Sequence, residues 1–279
     1  FFERISACNI CIRENSHLIP IEQRHITQAE EVANQIILKS KEAGIQLLPY
    51  YDKMFPPQLK QIKNENGEPN FPFLLYYKGD INALQQPCLA IVGTRQPTTH
   101  AEKAALYLAE QFVQEGLCIV SGLALGCDTF SHQGALRAGG HTIAFLAHGL
   151  DTIFPPSNQK LALEIIHNGG ALISEYPIGT SFNKYNFIQR DRLQAGMSLA
   201  TLVIQTNING GTMHVANATL KAGKKLYVCY FNDETIRKTE NCSGNEVLVK
   251  KGATYLKGND NISQIADEIK HLQQTRSLL

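Results

Sequence analysis

The chain has 279 residues and a formal net charge of +1, with 43% of its residues hydrophobic and 18% charged. This composition is ordinary for a globular protein, and the length suits one large α/β domain, alone or with a small appendage. A net charge so close to zero excludes a global basic field, so any surface that binds an anion has to be local.

Seven cysteines are scattered through the chain, mostly within apolar runs. This pattern predicts buried free thiols in a reducing cytoplasm rather than a disulfide framework. Cys8 and Cys11 form a CxxC pair, but no second pair or histidine partner follows, so we predict no metal site. No apolar run approaches the ~20 residues that cross a bilayer, and the first residues lack the pattern of a signal peptide.

Residues 1–86 are predicted to form an N-terminal accessory region. The first 44 residues are predicted to be helical, with a helix that starts at Thr27 and stops near Gly44. A short strand, a Pro-rich turn, a polar loop and the extended stretch LLYYKGD follow, up to a domain boundary near residue 86.

From residue 87 to residue 279 apolar runs alternate regularly with helical patterns. Continuous apolar strands of this kind are typical of a mostly parallel, doubly wound sheet that is covered by helices on both faces. The fold class is therefore α/β, with a small helical N-terminal domain. The predicted strands are 88–93, 117–122, 141–149, 171–176, 200–206, 224–231 and 253–256.

The turns that follow these strands carry glycines and cations. In an open α/β sheet the ligand crevice lies at the carboxyl ends of the strands. Glycines let the backbone approach a phosphate closely, arginine can bind phosphate with two N–H donors, and a helix start offers unpaired N–H groups. The residues predicted to form this site are Gly93, Thr94, Arg95, Ser121, Gly122, Gly126, Asp128, Lys160, Lys184, Phe187, Arg190, Arg192, Gly210 and Gly211.

Each of these features also has an ordinary structural explanation. Glycine turns after strands serve packing alone in many α/β proteins, a lone Arg95 is commonly a surface cation, and Asp128 is equally suited to cap its helix. The stretch SGLALGCD thus fits a tight packing turn as well as a phosphate cradle. The convergence of glycines or cations at five successive strand ends favours an anion-binding crevice.

The crevice also combines aromatic residues with cations, as in KYNF followed by RDR at residues 184–192. This combination suits a single strand of nucleic acid, whose bases stack on rings and whose phosphates pair with arginine and lysine. No GxGxxG follows the first strand, and neither a P-loop nor a GxSxG motif occurs. The sequence therefore predicts a binding protein without catalytic residues, cofactor or metal, rather than an enzyme.

Several ordered motifs resemble those of the bacterial DNA-processing protein A family (DprA/Smf). They include AIVGTRQPT, IVSGLALGCDTFSHQGAL, GLDTIFPPSNQKL, FIQRDRLQAGMS and CSGNEVLVKKGA, and the resemblance extends from about residue 45 to residue 256. It implies an extended Rossmann-like domain at 87–279 that binds single-stranded DNA without sequence preference. It further implies protection of incoming DNA in natural transformation, loading of a RecA-type recombinase, and homodimers.

The resemblance also implies roles for individual residues. Arg95 would contact phosphate, and Phe187 would offer a stacking face or wall the pocket. The residues that would shape the pocket are Gly122, Gly126 and Asp128. The cations that would pair with the DNA backbone are Lys184, Arg190 and Arg192, with Lys160 as a less certain addition.

The sequence departs from the family pattern at several positions. Asp191 stands where the family usually has asparagine, Ile188 where it has proline, and Gln205 where it has glutamate. No winged-helix pattern is recognised after the sheet. The alternative is a nucleotide-derivative sensor or processor of the lysine-decarboxylase-like superfamily, although NGGTMHVA lacks the Pro and Glu of that superfamily's PGGxGTxxE motif.

Overall fold

The computed structural model describes residues 11–14, 17–20, 22–258 and 260–276. The chain divides into two units, Phe1–Ile45 and Gln46–Leu279. In the first unit, strands β1 (Cys11–Glu14) and β2 (His17–Pro20) pair antiparallel. The prediction of helix is therefore wrong for these strands, where β-branched Ile12 and Ile19 stand opposite each other and favour extended pairing. Residues 1–10 of that prediction lie outside the described residues.

Helix α1 (Gln23–Glu42) makes up the rest of the first unit. It begins before the predicted Thr27, because Glu22 and His25 cap each other: the Glu22 N–H donates to His25 Nδ1 at 3.0 Å. Gly44 follows the last turn with φ +68°, a left-handed conformation that glycine adopts without strain. The predicted end of this helix is confirmed.

The second unit is built on a nine-stranded sheet with the strand order β11-β10-β9-β5-β6-β7-β8-β4-β3. The seven strands from β11 to β8 are parallel, and β4 and β3 are added antiparallel at one edge. The predicted α/β fold with a mostly parallel sheet is confirmed. The strands are β3 (Gln46–Pro49), β4 (Leu74–Gly79), β5 (Cys88–Val92), β6 (Cys118–Ser121), β7 (Thr142–Leu146), β8 (Ala171–Ser174), β9 (Ala200–Val203), β10 (Lys225–Cys229) and β11 (Thr254–Leu256).

Helices cover both faces of the sheet, which is why β5 is buried at all five of its positions. One face packs Ile91 and Phe112 among its core residues, and the other packs Phe145 and Leu193. The helices are α2 (Thr99–Gln114), α3 (Cys127–Arg137), α4 (Gln159–His167), α5 (Lys184–Met197), α6 (Thr212–Lys221), α7 (Glu234–Arg237), α8 (Ser243–Lys250) and α9 (Ile262–Arg276).

The unit that contains the sheet begins at Gln46, because β4 pairs with β8 and β3 pairs with β4, which extends the sheet by two strands. The boundary near residue 86 stays a prediction of where the parallel, Rossmann-like part starts. No helix among the described residues combines the length and the apolar character that a membrane crossing requires.

Candidate functional site

A cavity of about 750 Å³ opens at the carboxyl ends of β5 and β9, between α5 and the start of α6. This is the edge at which an open α/β sheet binds its ligands. Nine of the predicted site residues line it, namely Gly93, Thr94, Arg95, Asp128, Lys184, Phe187, Arg190, Gly210 and Gly211. The other five predicted residues, Ser121, Gly122, Gly126, Lys160 and Arg192, are not among its lining residues.

Gly93 and Gly126 lock two turns together. A Cβ at Gly93 would lie 2.7 Å from the Cβ of Cys127, and one at Gly126 would lie 2.7 Å from the Arg95 carbonyl carbon. Gly126 also has φ +78°, and the Cys127 N–H donates to the Thr94 carbonyl at 3.1 Å. Close contact between protein segments thus explains both glycines without a phosphate.

Asp128 closes the turn that follows β6. Its Oδ2 accepts hydrogen bonds from the N–H groups of Gly122 at 3.1 Å and Ala124 at 3.4 Å. Burial raises the pKa of this carboxyl, and the Arg190 charge partly opposes the shift. The SGLALGCD turn therefore directs these two N–H groups to its own aspartate. Ser121 is buried as well, and its hydroxyl donates to the Ile91 carbonyl at 2.7 Å.

Arg190 is buried and joins two strand ends. Its Nη1 donates to the Gly122 carbonyl at 2.9 Å and to the Phe145 carbonyl at 2.6 Å, and its Nε pairs with Asp191 at 3.2 Å. A Cβ at Gly122 would overlap the Arg190 guanidinium, which explains that glycine. Although Arg190 lines the cavity, most of its donors are engaged by the protein.

Arg192 and Lys160 lie outside the cavity and have other partners. Arg192 forms a two-pronged pair with Glu175, with both N–O distances 2.6 Å, and its Nε donates to the Asn70 carbonyl at 3.1 Å. Lys160 is exposed on α4 and lies 3.6 Å from Glu164. Their predicted phosphate contacts therefore stay predictions that the cavity itself does not include.

Arg95 and Lys184 are exposed at the rim of the cavity, and neither makes a salt bridge within the described part of the chain. The Arg95 guanidinium lies 5.0 Å from the ring centre of Phe187. Phe182 and Phe154 stack at 3.8 Å between ring centres, and Phe182 lies 6.2 Å from Phe187. The cavity thus presents two cations beside Phe182 and Phe187, and Phe154 stacks on Phe182 without being a lining residue.

Sequence reasoning missed Phe154 and Phe182. The position of Phe182, two residues before Lys184 and after β8, could have indicated it. Phe154 lies on the connection after β7, and only the folded chain shows that its ring reaches Phe182. The polar residues Asn207, Asn209 and His214 at the start of α6 also line the cavity and were not predicted.

The start of α6 contributes the two glycines of NGGT. A Cβ at Gly210 would lie 2.7 Å from the Thr206 hydroxyl, so that glycine is again explained by packing. At Gly211, no described atom lies within 4 Å of a Cβ. Gly211 therefore leaves space in front of a helix start, where N–H groups and the helix dipole favour an anion.

Gln205, which stands where the family usually has glutamate, makes two structural contacts. Its Oε1 accepts from the Thr98 N–H at 2.9 Å, and Thr98 is the N-cap of α2. Its Nε2 lies 3.2 Å from the Cys242 sulfur. A neutral amide can make both contacts inside the core, because it both donates and accepts.

Comparison with known proteins assigns the chain to a family. The family model for DNA recombination-mediator protein A matches residues 46–267. The chain is 33% identical over 181 residues to Protein Smf of Escherichia coli, and 32% identical over 194 residues to the DNA processing protein DprA of Bacillus subtilis. These alignments cover 65% and 69% of this chain, and 47% and 63% of the two relatives.

Two solved structures agree with this result. DNA processing protein A of Helicobacter pylori, described for its single-stranded DNA binding mode, superposes with a TM-score of 0.67 at 30% identity, covering 81% of this chain and 95% of that one. DprA of Streptococcus pneumoniae gives a TM-score of 0.67 at 28% identity, covering 76% and 71%. The molecule is a Rossmann-like α/β protein with a cationic, aromatic crevice at its sheet edge. The chain belongs to the DNA recombination-mediator protein A family.

Replacing Arg192 tests whether it is structural. Arg192→Gln leaves the half-buried Glu175 carboxylate without its partner, and we expect the free energy of unfolding in urea to fall by about 3 kcal/mol. Lys160→Gln is the matched control, because an exposed pair contributes at most about 1 kcal/mol. A stability unchanged by Arg192→Gln would contradict the assignment.

The ionisation of Asp191 should make the affinity for DNA depend on pH. Burial raises its pKa from 3.8 to about 7 and the Asp128 charge adds to the shift, whereas Arg190 and Arg95 oppose it. The carboxyl becomes charged as pH rises through about 7, so affinity for an anionic strand should fall about fivefold between pH 6 and pH 8. Fluorescence anisotropy at constant ionic strength measures this change, and Asp191→Asn should remove most of it.

The same shift affects folding. The folded state binds the Asp191 proton more tightly than the unfolded state does. The free energy of unfolding should therefore decline as the pH rises from about 4 to about 7, and Asp191 should cause no further decline above that range. Asp191→Asn should flatten this part of the stability curve, whereas Glu164→Gln on exposed α4 should not. Parallel curves for the wild type and Asp191→Asn would contradict the assignment.

Proposed function

We propose that the crevice binds single-stranded DNA without sequence preference. The observation that carries this proposal is the placement of two exposed cations, Arg95 and Lys184, beside the Phe154–Phe182–Phe187 cluster. Phosphates are attracted to cations, and an unpaired base can stack on a ring that a base inside a duplex cannot reach. Family membership and the described DNA binding mode of the Helicobacter pylori relative support this assignment.

In this proposal some residues contact the DNA and others only hold the site in shape. Arg95 and Lys184 hold phosphates, and Phe182 and Phe187 stack with bases. At the start of α6 the open space beside Gly211 leaves room for one further phosphate near the positive end of the helix dipole, although the Met213 and His214 N–H groups already donate to the Gly210 and Gly211 carbonyls. Asp128 and Arg190 hold the turns in place, so they shape the site through other residues. This mechanism makes and breaks no covalent bond and uses no cofactor or metal.

The wider activity is proposed from family membership. The chain spans 47% and 63% of the two curated relatives compared above, so their whole activity is not carried over directly. We propose that the protein protects incoming DNA in natural transformation, loads a RecA-type recombinase, acts as a homodimer and resides in the cytoplasm. Recombinase filament formation on protein-coated single strands tests loading, and analytical ultracentrifugation tests the dimer.

A nucleotide derivative is the second candidate ligand. A cavity of about 750 Å³ has the size of a small-molecule site, and the Gly211 helix start suits a phosphate group. Competition separates the two candidates. Free nucleotides at millimolar concentration should displace labelled oligo-dT only weakly, because they lack the additional phosphates and bases. Full displacement by a mononucleotide would favour the second candidate.

Replacing the two rim cations tests the site. Arg95→Ala and Lys184→Ala should each weaken binding of oligo-dT and of mixed-sequence strands alike, because phosphate contacts carry no sequence information. Each variant should also reduce the slope of log affinity against log salt by about 0.7, the value for one phosphate contact on a single strand. Anisotropy titrations at several salt concentrations measure both effects.

Lys160→Ala is the matched control, since it removes one exposed lysine that lies outside the cavity. It should leave both the affinity and the salt slope close to those of the wild type. Equal losses in Lys160→Ala and Lys184→Ala would show general electrostatic attraction and would contradict a local site.

A further inference from the structure

We propose that a second surface, the edge platform formed by Tyr50, Tyr51, Phe71 and Phe73, stacks with bases of the same single strand after it leaves the crevice. The inference rests on the proposed function of the crevice and extends it to a longer DNA path. These four residues lie in the lead-in stretches LPYYDKMFPPQLKQI and FPFLLYYKGD, and none of them is among the predicted site residues.

The edge platform is an aromatic cluster at the protein surface. Tyr50 contacts Phe73 at 5.5 Å and Tyr51 at 5.7 Å between ring centres, both edge to face, and Phe71 contacts Phe73 at 5.0 Å. Tyr51 is 78% exposed and Phe73 is 68% exposed. Single exposed apolar side chains are common, but a contiguous group of large ones indicates a binding surface.

The platform lies on the same side of the sheet as the crevice, namely the side formed by the carboxyl ends of the parallel strands. Strand β4 runs antiparallel to β8 with Tyr76 opposite Ser174, so Phe73 lies beyond the carboxyl end of β8. Tyr50 is placed there too, because its N–H donates to the Phe73 carbonyl at 2.9 Å. From β5 to β4 there are four steps along the sheet, through β6, β7 and β8, or about 19 Å at ~4.8 Å per step.

Helix α5 connects the two surfaces. Its first turn carries Lys184 at the crevice and Tyr185, which is 67% exposed. Two turns later Arg192 donates to the carbonyl of Asn70, the residue directly before Phe71. The helix thus holds the segment that leads into the platform at a fixed distance from the crevice.

The chemistry of the platform fits a nucleic acid strand. The Tyr51 and Phe73 side chains are mostly exposed, so ring surface is left open on which an unpaired base can stack. The exposed Lys53 lies in the same turn as Tyr51 and provides a cation for a phosphate. Continuity with the crevice along one sheet edge favours the same strand as the occupant.

The test compares a short and a long oligo-dT by anisotropy. Lengths of about 4 and about 20 nucleotides bracket the ~4–16 nucleotides that a single-strand binding fold covers. The double variant Tyr51→Ala/Phe73→Ala should bind the short strand within about twofold of the wild type and the long strand at least about fivefold more weakly, the low end of base–aromatic stacking. Arg95→Ala should weaken both lengths.

Two further variants serve as controls. Tyr107→Ala removes an exposed tyrosine from α2 and should change neither affinity. Tyr51→Leu/Phe73→Leu keeps apolar bulk without a ring, so it should lose the long-strand affinity in the same way. If the double alanine variant melts early, Tyr51→Ala alone replaces it, since that side chain is 78% exposed.

The outcomes separate the two proposals. If the wild type binds neither strand, the proposed function of the crevice fails. The proposal for the platform is contradicted if the wild type binds the long strand no more tightly than the short one, or if the double variant keeps the higher affinity for the long strand. The proposed function of the crevice is then unaffected. Full affinity in the leucine variant, or a changed oligomeric state with unchanged DNA affinity, would likewise overturn it, because the surface would then bind protein or apolar groups.

Discussion

The buried guanidinium of Arg190 organises the candidate site. It donates to carbonyls at the ends of β6 and β7 and pairs with Asp191, so that one side chain ties α5 to two neighbouring strand ends. A buried cation is stable only when its donors find acceptors, and here most of them do. Gly122 has to be glycine because a Cβ would overlap this guanidinium. The shape of the crevice therefore depends on an interaction that faces inward.

This arrangement separates positioning from binding. Within the protein, Asp128 accepts a hydrogen bond from a backbone N–H group, Arg190 donates to a backbone carbonyl, and Arg192 pairs with Glu175. By contrast, Arg95 and Lys184 stay exposed beside aromatic rings. Buried groups that hydrogen-bond to the strand ends hold the exposed cations and rings in position, which lowers the cost of ordering them when a strand binds. The edge platform would extend the same principle to the antiparallel edge, where rings replace the cations as the main contact.

The sequence predicts the fold well because a parallel sheet covered on both faces leaves continuous apolar runs, such as CLAIV in β5 and TIAFL in β7. It also locates the crevice, since strand ends are recognisable. The sequence does not show that Arg190 and Arg192 are structural whereas Arg95 is exposed at the site. The reason is that the acceptors of Arg190 and Arg192 include Phe145 and Asn70, which are 45 and 122 residues away along the chain. The sequence does not reveal the paired strands β1 and β2, because two four-residue strands are too short for a periodic pattern.

Covalent footprinting would show whether the exposed cations and rings of the crevice hold the strand. Lysine acetylation and hydroxyl-radical oxidation would be mapped by mass spectrometry with and without saturating oligo-dT. The account predicts protection of Lys184, Phe182 and Phe187 by the DNA, with Lys160 unchanged. Equal modification of Lys184 and both phenylalanines in the two states, under conditions where DNA is bound, would contradict it.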